Sequence, residues 1–211
     1  MAHGKRNQED LNLCRGSMAN FHLYAEPFIK QLPDNRSIVL EIGSERGEGS
    51  TAWFDSISKK LNKDFYTVDV TDYASKSLKH LKNTKFIVAE AGSSWAKTYL
   101  DKSISVLYLD NYDWISTMNH IRPVEKELIS EYNTRGVKMT NFDCQREHLE
   151  QMVCCMPYMD KESIIICDDT PFDKSSGVYF GKNGPVIPYA VIHGYKIAYS
   201  DNNGVILTRG I

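Results

Sequence analysis

Five short runs of β-branched and aliphatic residues, each followed by a longer helix-like segment, constrain this chain more than any other feature. They are SIVLEI (37–42), DFYTVDV (64–70), KFIVA (85–89), ISVLYLD (104–110) and SIIICD (163–168). Each is apolar nearly throughout rather than alternating, which suits strands covered on both faces. Residues 51–62, 74–81 and 95–101 read as crossover helices between them. Repeating βα units predict an α/β domain with a Rossmann-like, doubly wound sheet. The C-terminus departs from that rhythm. YKIAYS (195–200) and VILTR (205–209) flank Asp201-Asn202-Asn203-Gly204, a hairpin signature. The sheet is therefore expected to be mostly parallel, with an antiparallel C-terminal hairpin strand.

The expected organisation is an N-terminal helical extension (1–34) and one domain (35–211). A helix over 21–32 would carry Phe21, Tyr24 and Phe28. These rings would pack on the sheet, cap a cofactor pocket or form a homodimer surface. Residues 117–160 are too long for one crossover and are read as a helical insertion. Pro123, Asn133 and Gly136 punctuate it, leaving helices over 124–132 and 143–156. Such extra length can form a lid or substrate wall.

Charge and cysteine content narrow the classes of function. Lys plus Arg number 25 against 27 Asp plus Glu, a net charge of -2, without the basic surplus of a nucleic-acid binder. No stretch approaches the roughly 18 apolar residues of a membrane span, and the first ten residues hold no apolar signal-peptide core. Five cysteines, at 14, 144, 154, 155 and 167, form no C-x-x-C pair. A cytoplasmic protein with reduced thiols, and with neither nucleic acid nor membrane as partner, is expected.

The strongest local signal is Glu41-Ile42-Gly43-Ser44-Glu45-Arg46-Gly47-Glu48-Gly49-Ser50-Thr51, which leaves the first strand and enters a helix. Glycines permit a sharp turn and close backbone approach to a ligand, and a helix start offers free amides. The spacing is neither the G-x-G-x-x-G dinucleotide fingerprint nor a P-loop, since no Lys-Ser or Lys-Thr follows. Asp69 closes the second strand, where a carboxylate can accept hydrogen bonds from a ribose diol. After the third strand, Gly92, Ser93 and Ser94 leave room for a flat base, and Trp95 would stack on it or join the core.

These residues, over about 35–211, resemble the class I S-adenosylmethionine-dependent methyltransferases. Glu41, Gly43, Gly47 and Ser50 are similar to the E-x-G-x-x-x-G-Ser pattern of small O-methyltransferases of the catechol and macrocin types. The resemblance implies S-adenosylmethionine as cofactor, held by Glu41, Gly43, Ser44, Gly47, Gly49, Ser50, Thr51, Asp69, Gly92, Ser93, Ser94, Asp110 and Tyr112. The terminal hairpin is similar to that family's antiparallel last strand.

Two later strands end in acids, Asp110 on the fourth and Asp168-Asp169 on the fifth. In a parallel sheet these ends are neighbours, and three converging carboxylates need a cation or a proton to neutralise them. Hard ions such as Mg²⁺ prefer oxygen ligands. The metal-dependent members of the resembled family place acids in this layout, which implies Mg²⁺ on Asp110, Asp168 and Asp169. The implied reaction is O-methylation of a small hydroxylated metabolite, the ion lowering the hydroxyl pKa. The sequence departs from the catechol type where a lysine base is expected, since Asp113 stands there. Asp113 and His148 are the candidate bases, with His120 and His193 weaker. The segment 181–185, Gly-Lys-Asn-Gly-Pro, reads as a loop able to move over the site. The alternatives are a metal-independent methyltransferase and a non-catalytic module that binds the cofactor.

Overall fold

The computed structural model of the chain describes residues 18–44, 49–89, 91–115 and 123–211. A 3₁₀ run, Met18–Ala25, leads into α1 (Glu26–Ile29). Then come β1 (Ile38–Ile42), α2 (Ser50–Lys60), β2 (Phe65–Asp69), α3 (Tyr73–Ser77), β3 (Thr84–Val88), α4 (Gly92–Tyr99) and β4 (Ile104–Leu109). Next follow α5 (Pro123–Thr134), α6 (Asn141–Cys155) and β5 (Met159–Asp168). The chain ends with β6 (Phe172–Asp173), β7 (Val178–Tyr179), α7 (Val186–Ile192), β8 (Lys196–Ser200) and β9 (Gly204–Arg209). Seven strands form one sheet in the order β3-β2-β1-β4-β5-β9-β8. Only β9 runs against the rest, pairing antiparallel with both β5 and β8. The fold class expected from the sequence is the one observed.

The apolar runs become strands because both faces of the sheet are covered. Every residue of β1 and β4 is buried. On one face, Val39, Phe65, Val106 and Ile166 meet Phe54 and Ile57 of α2 and Phe21 and Ile29 of the N-terminal segment. On the other, Leu40, Leu107, Ile165 and Leu207 meet Trp95 of α4, Met152 of α6 and Ile187 of α7. Burying such a side chain stabilises the fold by about 1.5–3 kcal/mol, so the central strands carry most of the core. β3 lies at one edge, and its side chains are only half covered.

Two local expectations are corrected and a third is refined. The N-terminal segment is not one helix over 21–32. Pro27 sits in the first turn of α1, where its missing N–H forbids continuation from the preceding residues. What precedes it winds as 3₁₀, and Phe21 and Ala25 still reach the core. The N-cap of α6 is Thr140, whose hydroxyl accepts from the Asp143 N–H at 3.0 Å. The C-terminal hairpin forms as expected, with Gly204 as the first residue of β9. A Cβ there would lie 2.4 Å from the Cys167 carbonyl oxygen and 2.7 Å from the Phe21 ring. The turn is held by the Asp201 carboxylate, which accepts from the Asn203 N–H at 2.7 Å and the Gly204 N–H at 3.2 Å. None of the described helices is long and apolar enough to cross a membrane.

Candidate functional site

Strand register explains why distant residues meet. Glu41 pairs with Thr67 on β2 and with Tyr108 on β4. Side chains repeat every two residues along a strand, so the next row on that face holds Asp69, Gly43, Asp110 and Asp168. A polar band therefore crosses the C-terminal ends of β2, β1, β4 and β5, over a face that is otherwise apolar.

At the β1–β2 end, Glu41 is fully buried. Its Oε2 accepts from Thr67 Oγ1 at 2.6 Å and Thr51 Oγ1 at 2.8 Å, while Oε1 is buried without a partner among the described residues. Burial raises its carboxyl to about 7, against the pull of the Thr67, Ser50 and Thr51 hydroxyls. Gly43 has φ +103, and a Cβ there would fall 2.4 Å from the Asn111 amide nitrogen, so only glycine lets the turns after β1 and β4 touch. Gly49, at φ 82, caps α2 without a side-chain bond to the helix amides, and Ser50 and Thr51 open the helix. Gly47 lies outside the described residues. Asp69 holds the turn together. Its Oδ2 accepts from the Ser44 N–H at 3.0 Å, and its Oδ1 accepts from Thr71 N–H at 2.8 Å and Thr71 Oγ1 at 3.0 Å. Beside it, Val70, Thr71, Asp72, Tyr73, Val88 and Arg135 line an open hollow of about 550 Å³.

Gly92 presses on Ile42 at the start of α4. Ser93 donates its N–H at 3.1 Å and its hydroxyl at 2.9 Å to the two carboxylate oxygens of Glu147 on α6. Ser94 is turned back on its own helix, donating to the Ala91 carbonyl at 2.9 Å. Trp95 is buried in the core, so it is not placed to stack on a ligand.

At the β4–β5 end the three carboxyls do converge, and a cation lies among them. It is Lys182. Its Nζ stands 2.8 Å from Asp110 Oδ1 and 2.8 Å from Asp169 Oδ2, with the lysine side chain only 8% exposed. Tyr108 bridges the other pair, its hydroxyl 2.5 Å from Asp168 Oδ2 and 3.0 Å from Asp110 Oδ2. A phenol has one proton to donate, so both contacts are hydrogen bonds only if one of the two carboxyls is protonated. The electrostatics agree. Burial, then the charges of Asp110 and Asp169, lift Asp168 well above the usual carboxylate range. Burial also raises Asp110, with Lys182 opposing. Burial works against the charge of Lys182, yet Asp110 and Asp169 outweigh it and hold the ammonium well above the ordinary lysine range.

A divalent ion does not fit this arrangement. Mg²⁺ would need ionised oxygens at about 2.0–2.1 Å, whereas Nζ already bridges Asp110 and Asp169, and Asp168 is tied to Tyr108. Among the described residues no group of three His, Cys, Asp or Glu side chains is placed to hold a metal. The Mg²⁺ expected on Asp110, Asp168 and Asp169 finds no support in this arrangement. The segment carrying the lysine is also not a free flap. Gly181, Lys182, Asn183 and Gly184 are buried. Asn183 Nδ2 donates to the carbonyls of Asp168 (2.9 Å) and Leu109 (3.2 Å), locking the loop between the two strand ends.

Backbone strain concentrates here. Among the described residues, positive φ at a non-glycine occurs at Tyr112 (58°), Asp169 (47°) and Asn62 (54°), and the first two flank the cluster. Tyr112 is anchored by its hydroxyl, which donates to the Lys138 carbonyl at 2.9 Å. Asp113 is half-buried beside it, its N–H donating to the Tyr132 hydroxyl at 3.0 Å. His148 is fully buried on α6. Its Nδ1 lies 2.8 Å from the Cys144 carbonyl, which marks Nδ1 as the protonated nitrogen. Burial lowers its pKa to about 3, so the ring is neutral. His193 caps α7 at the far end of the chain's last crossover, and His120 lies outside the described residues.

Lys182, Tyr108 and Glu147 did not emerge from sequence reasoning. Tyr108 was within reach, because it precedes Asp110 by two residues and so shares its face. Lys182 and Glu147 act across long sequence separations that no local pattern encodes.

No protein-family model matches the sequence, and no curated protein matches it either. The fold, by contrast, is that of solved S-adenosylmethionine-dependent methyltransferases. The chain is similar to a SAM-dependent methyltransferase from Aquifex aeolicus, with 13% identity and a TM-score of 0.52 over 97% of this chain and 100% of that one. It is also similar to magnesium protoporphyrin IX methyltransferase from Synechocystis PCC 6803 with bound SAM. There the identity is 11% and the TM-score 0.52, over 99% of this chain and 87% of that one. At these identities the likeness establishes a class I methyltransferase-like fold.

Proposed function

We propose that the chain is an S-adenosylmethionine-dependent methyltransferase acting on a hydroxyl of a small molecule. The observation that carries this reading is the polar band itself, with a glycine turn after β1, an acid closing β2 and strained loops after β4 and β5 on one sheet edge. The residues suit the cofactor. Asp69 and the adjoining hollow, with exposed Val70, Tyr73 and Val88, offer a carboxylate beside apolar walls, as a nucleoside requires. The orphaned Oε1 of Glu41 offers a buried acceptor under the turn. When bound, S-adenosylmethionine supplies an activated methyl group, whose S–C bond breaks as the acceptor's O–C bond forms, leaving the neutral thioether.

The protein's part is to orient the two reactants and take one proton. Tyr112 and Asp113 lie on the loop that adjoins Gly43 through Asn111. Of the two candidate bases, we assign proton acceptance to Asp113. It retains solvent contact and its N–H is held by Tyr132, whereas His148 is fully buried with Nδ1 turned to the Cys144 carbonyl. Calorimetry with S-adenosylhomocysteine tests the reading. Binding to the native chain is expected, weakened ~10–100-fold in Asp69→Ala, as for lost charge-assisted hydrogen bonds. Asp113→Asn should bind the product normally and lose turnover. A native chain that binds neither S-adenosylmethionine nor its product would refute the proposal.

A further inference from the structure

We propose that Lys182 is the resident cation of the Asp110–Asp168–Asp169 cluster, a tethered ammonium standing where a divalent ion would otherwise be needed. The acceptor end of the site would then assemble without metal. Its functional meaning rests on the methyl-transfer reading, but its geometry does not.

Three features carry it. Nζ bridges carboxylates from two different strand ends, 2.8 Å from each. The lysine cannot readily withdraw, because its own N–H donates to the Asp169 carbonyl at 3.0 Å and Gln145 Nε2 donates to the Gly181 carbonyl at 2.9 Å. Gly181 (φ +80) permits this closeness, since a Cβ there would lie 2.0 Å from the Asp169 carbonyl oxygen. The remaining carboxyl needs no cation, because Tyr108 and a shared proton satisfy it. Metal and ammonium solve the same electrostatic problem, and a site filled by one excludes the other.

The test needs neither cofactor nor turnover, so its outcome is separable from that of the calorimetry above. The chain is stripped with EDTA, and Mn²⁺ binding is followed by electron paramagnetic resonance and by thermal unfolding. The native chain is expected to show no saturable binding and no shift in Tm. Lys182→Ala should melt lower and recover with Mn²⁺ in a saturable way, and adding Asp169→Asn, which removes a carboxylate that Nζ bridges, should abolish that recovery. Saturable binding by the native chain that Asp168→Asn removes would overturn the proposal. So would a Lys182→Ala chain that melts like the native one and ignores Mn²⁺. If Lys182→Ala does not fold, Lys182→Met with Asp169→Asn, which removes one charge of each sign, decides. Folding and indifference to Mn²⁺ support the cation role, and failure to fold assigns Lys182 to packing and overturns it.

Discussion

At the β2–β3 end of the sheet, Val70, Tyr73 and Val88 stand exposed around an open hollow, while at the β4–β5 end Lys182 and Asn183 are buried among carboxyls and carbonyls. Both ends are built from strands that close on acids. At the first, Asp69 accepts from the Ser44 amide of the turn after β1 and from the amide and hydroxyl of Thr71, and space remains beside it. At the second, the acids crowd together, and a side chain from a distant loop must neutralise them. Amides and a small hydroxyl satisfy an acid without occupying the space beside it, whereas a long buried side chain fills that space and rigidifies it. Under the proposed function the open end binds and the filled end orients.

The comparison breaks most visibly at Lys182. Lys182→Met leaves buried carboxyls without their cation and is expected to cost about 3–5 kcal/mol, the usual penalty for removing one partner of a buried pair. Urea unfolding would show it, and a loss within ~0.5 kcal/mol, as at an ordinary surface site, would mean that the filled end is not electrostatically closed. Gly43→Ala should come next, at about 2–4 kcal/mol, because the new methyl must displace the Asn111 peptide while the backbone keeps a positive φ. Since Gly43 joins the two ends, that variant is also expected to lose cofactor binding beyond its stability cost.

The pH dependence separates the ends further. Burial holds the native Glu41 carboxyl near 7, against 4.5 for an ordinary one. Between those values the folded chain keeps a proton that the unfolded chain has released, so stability falls as pH rises from 4.5 to 7. Asp168 and Asp110, also raised, act in the same sense. The difference between the native chain and Glu41→Gln isolates the first contribution. The variant's slope should be shallower, and the amide should gain about 1–3 kcal/mol at pH 7 and above. Parallel profiles for the two proteins would show that Glu41 is ionised in the native fold.

The sequence made the fold legible where physics is local. β1, β4 and the 163–168 part of β5 are read correctly because double-sided burial leaves a continuous apolar run, whereas 159–162, mostly only half covered, escape notice, and the acids stand out because they close those runs. The N-terminal helix was misjudged because one proline outweighs a helical pattern of aromatics. The Mg²⁺ expectation was sound as electrostatics, since a cation was required. Its identity was hidden because Lys182 and Asp110 are 72 residues apart, and nothing near Gly181 reveals which carboxylates its neighbour will meet. Glu147 shows the same limit, since the start of α4 is capped from another helix 54 residues away.

The smallest expected effect lies at the open end. Val88 is 56% exposed at the end of the edge strand and pairs in register with Asp69. It therefore contributes little to the core, and Val88→Ser should change stability within ~0.5 kcal/mol. If the hollow receives the base of the cofactor, that same methyl surface is buried on binding. Losing about 40 Å² of apolar contact at ~25 cal/mol per Å² costs about 1 kcal/mol, or roughly a fivefold weaker affinity for S-adenosylhomocysteine. The ratio of the two effects is the informative quantity. A residue that matters to the ligand more than to the fold marks a surface kept open for occupation. Unchanged affinity in Val88→Ser would move the base away from β3, and the open end would then owe its exposure simply to lying at the edge of the sheet.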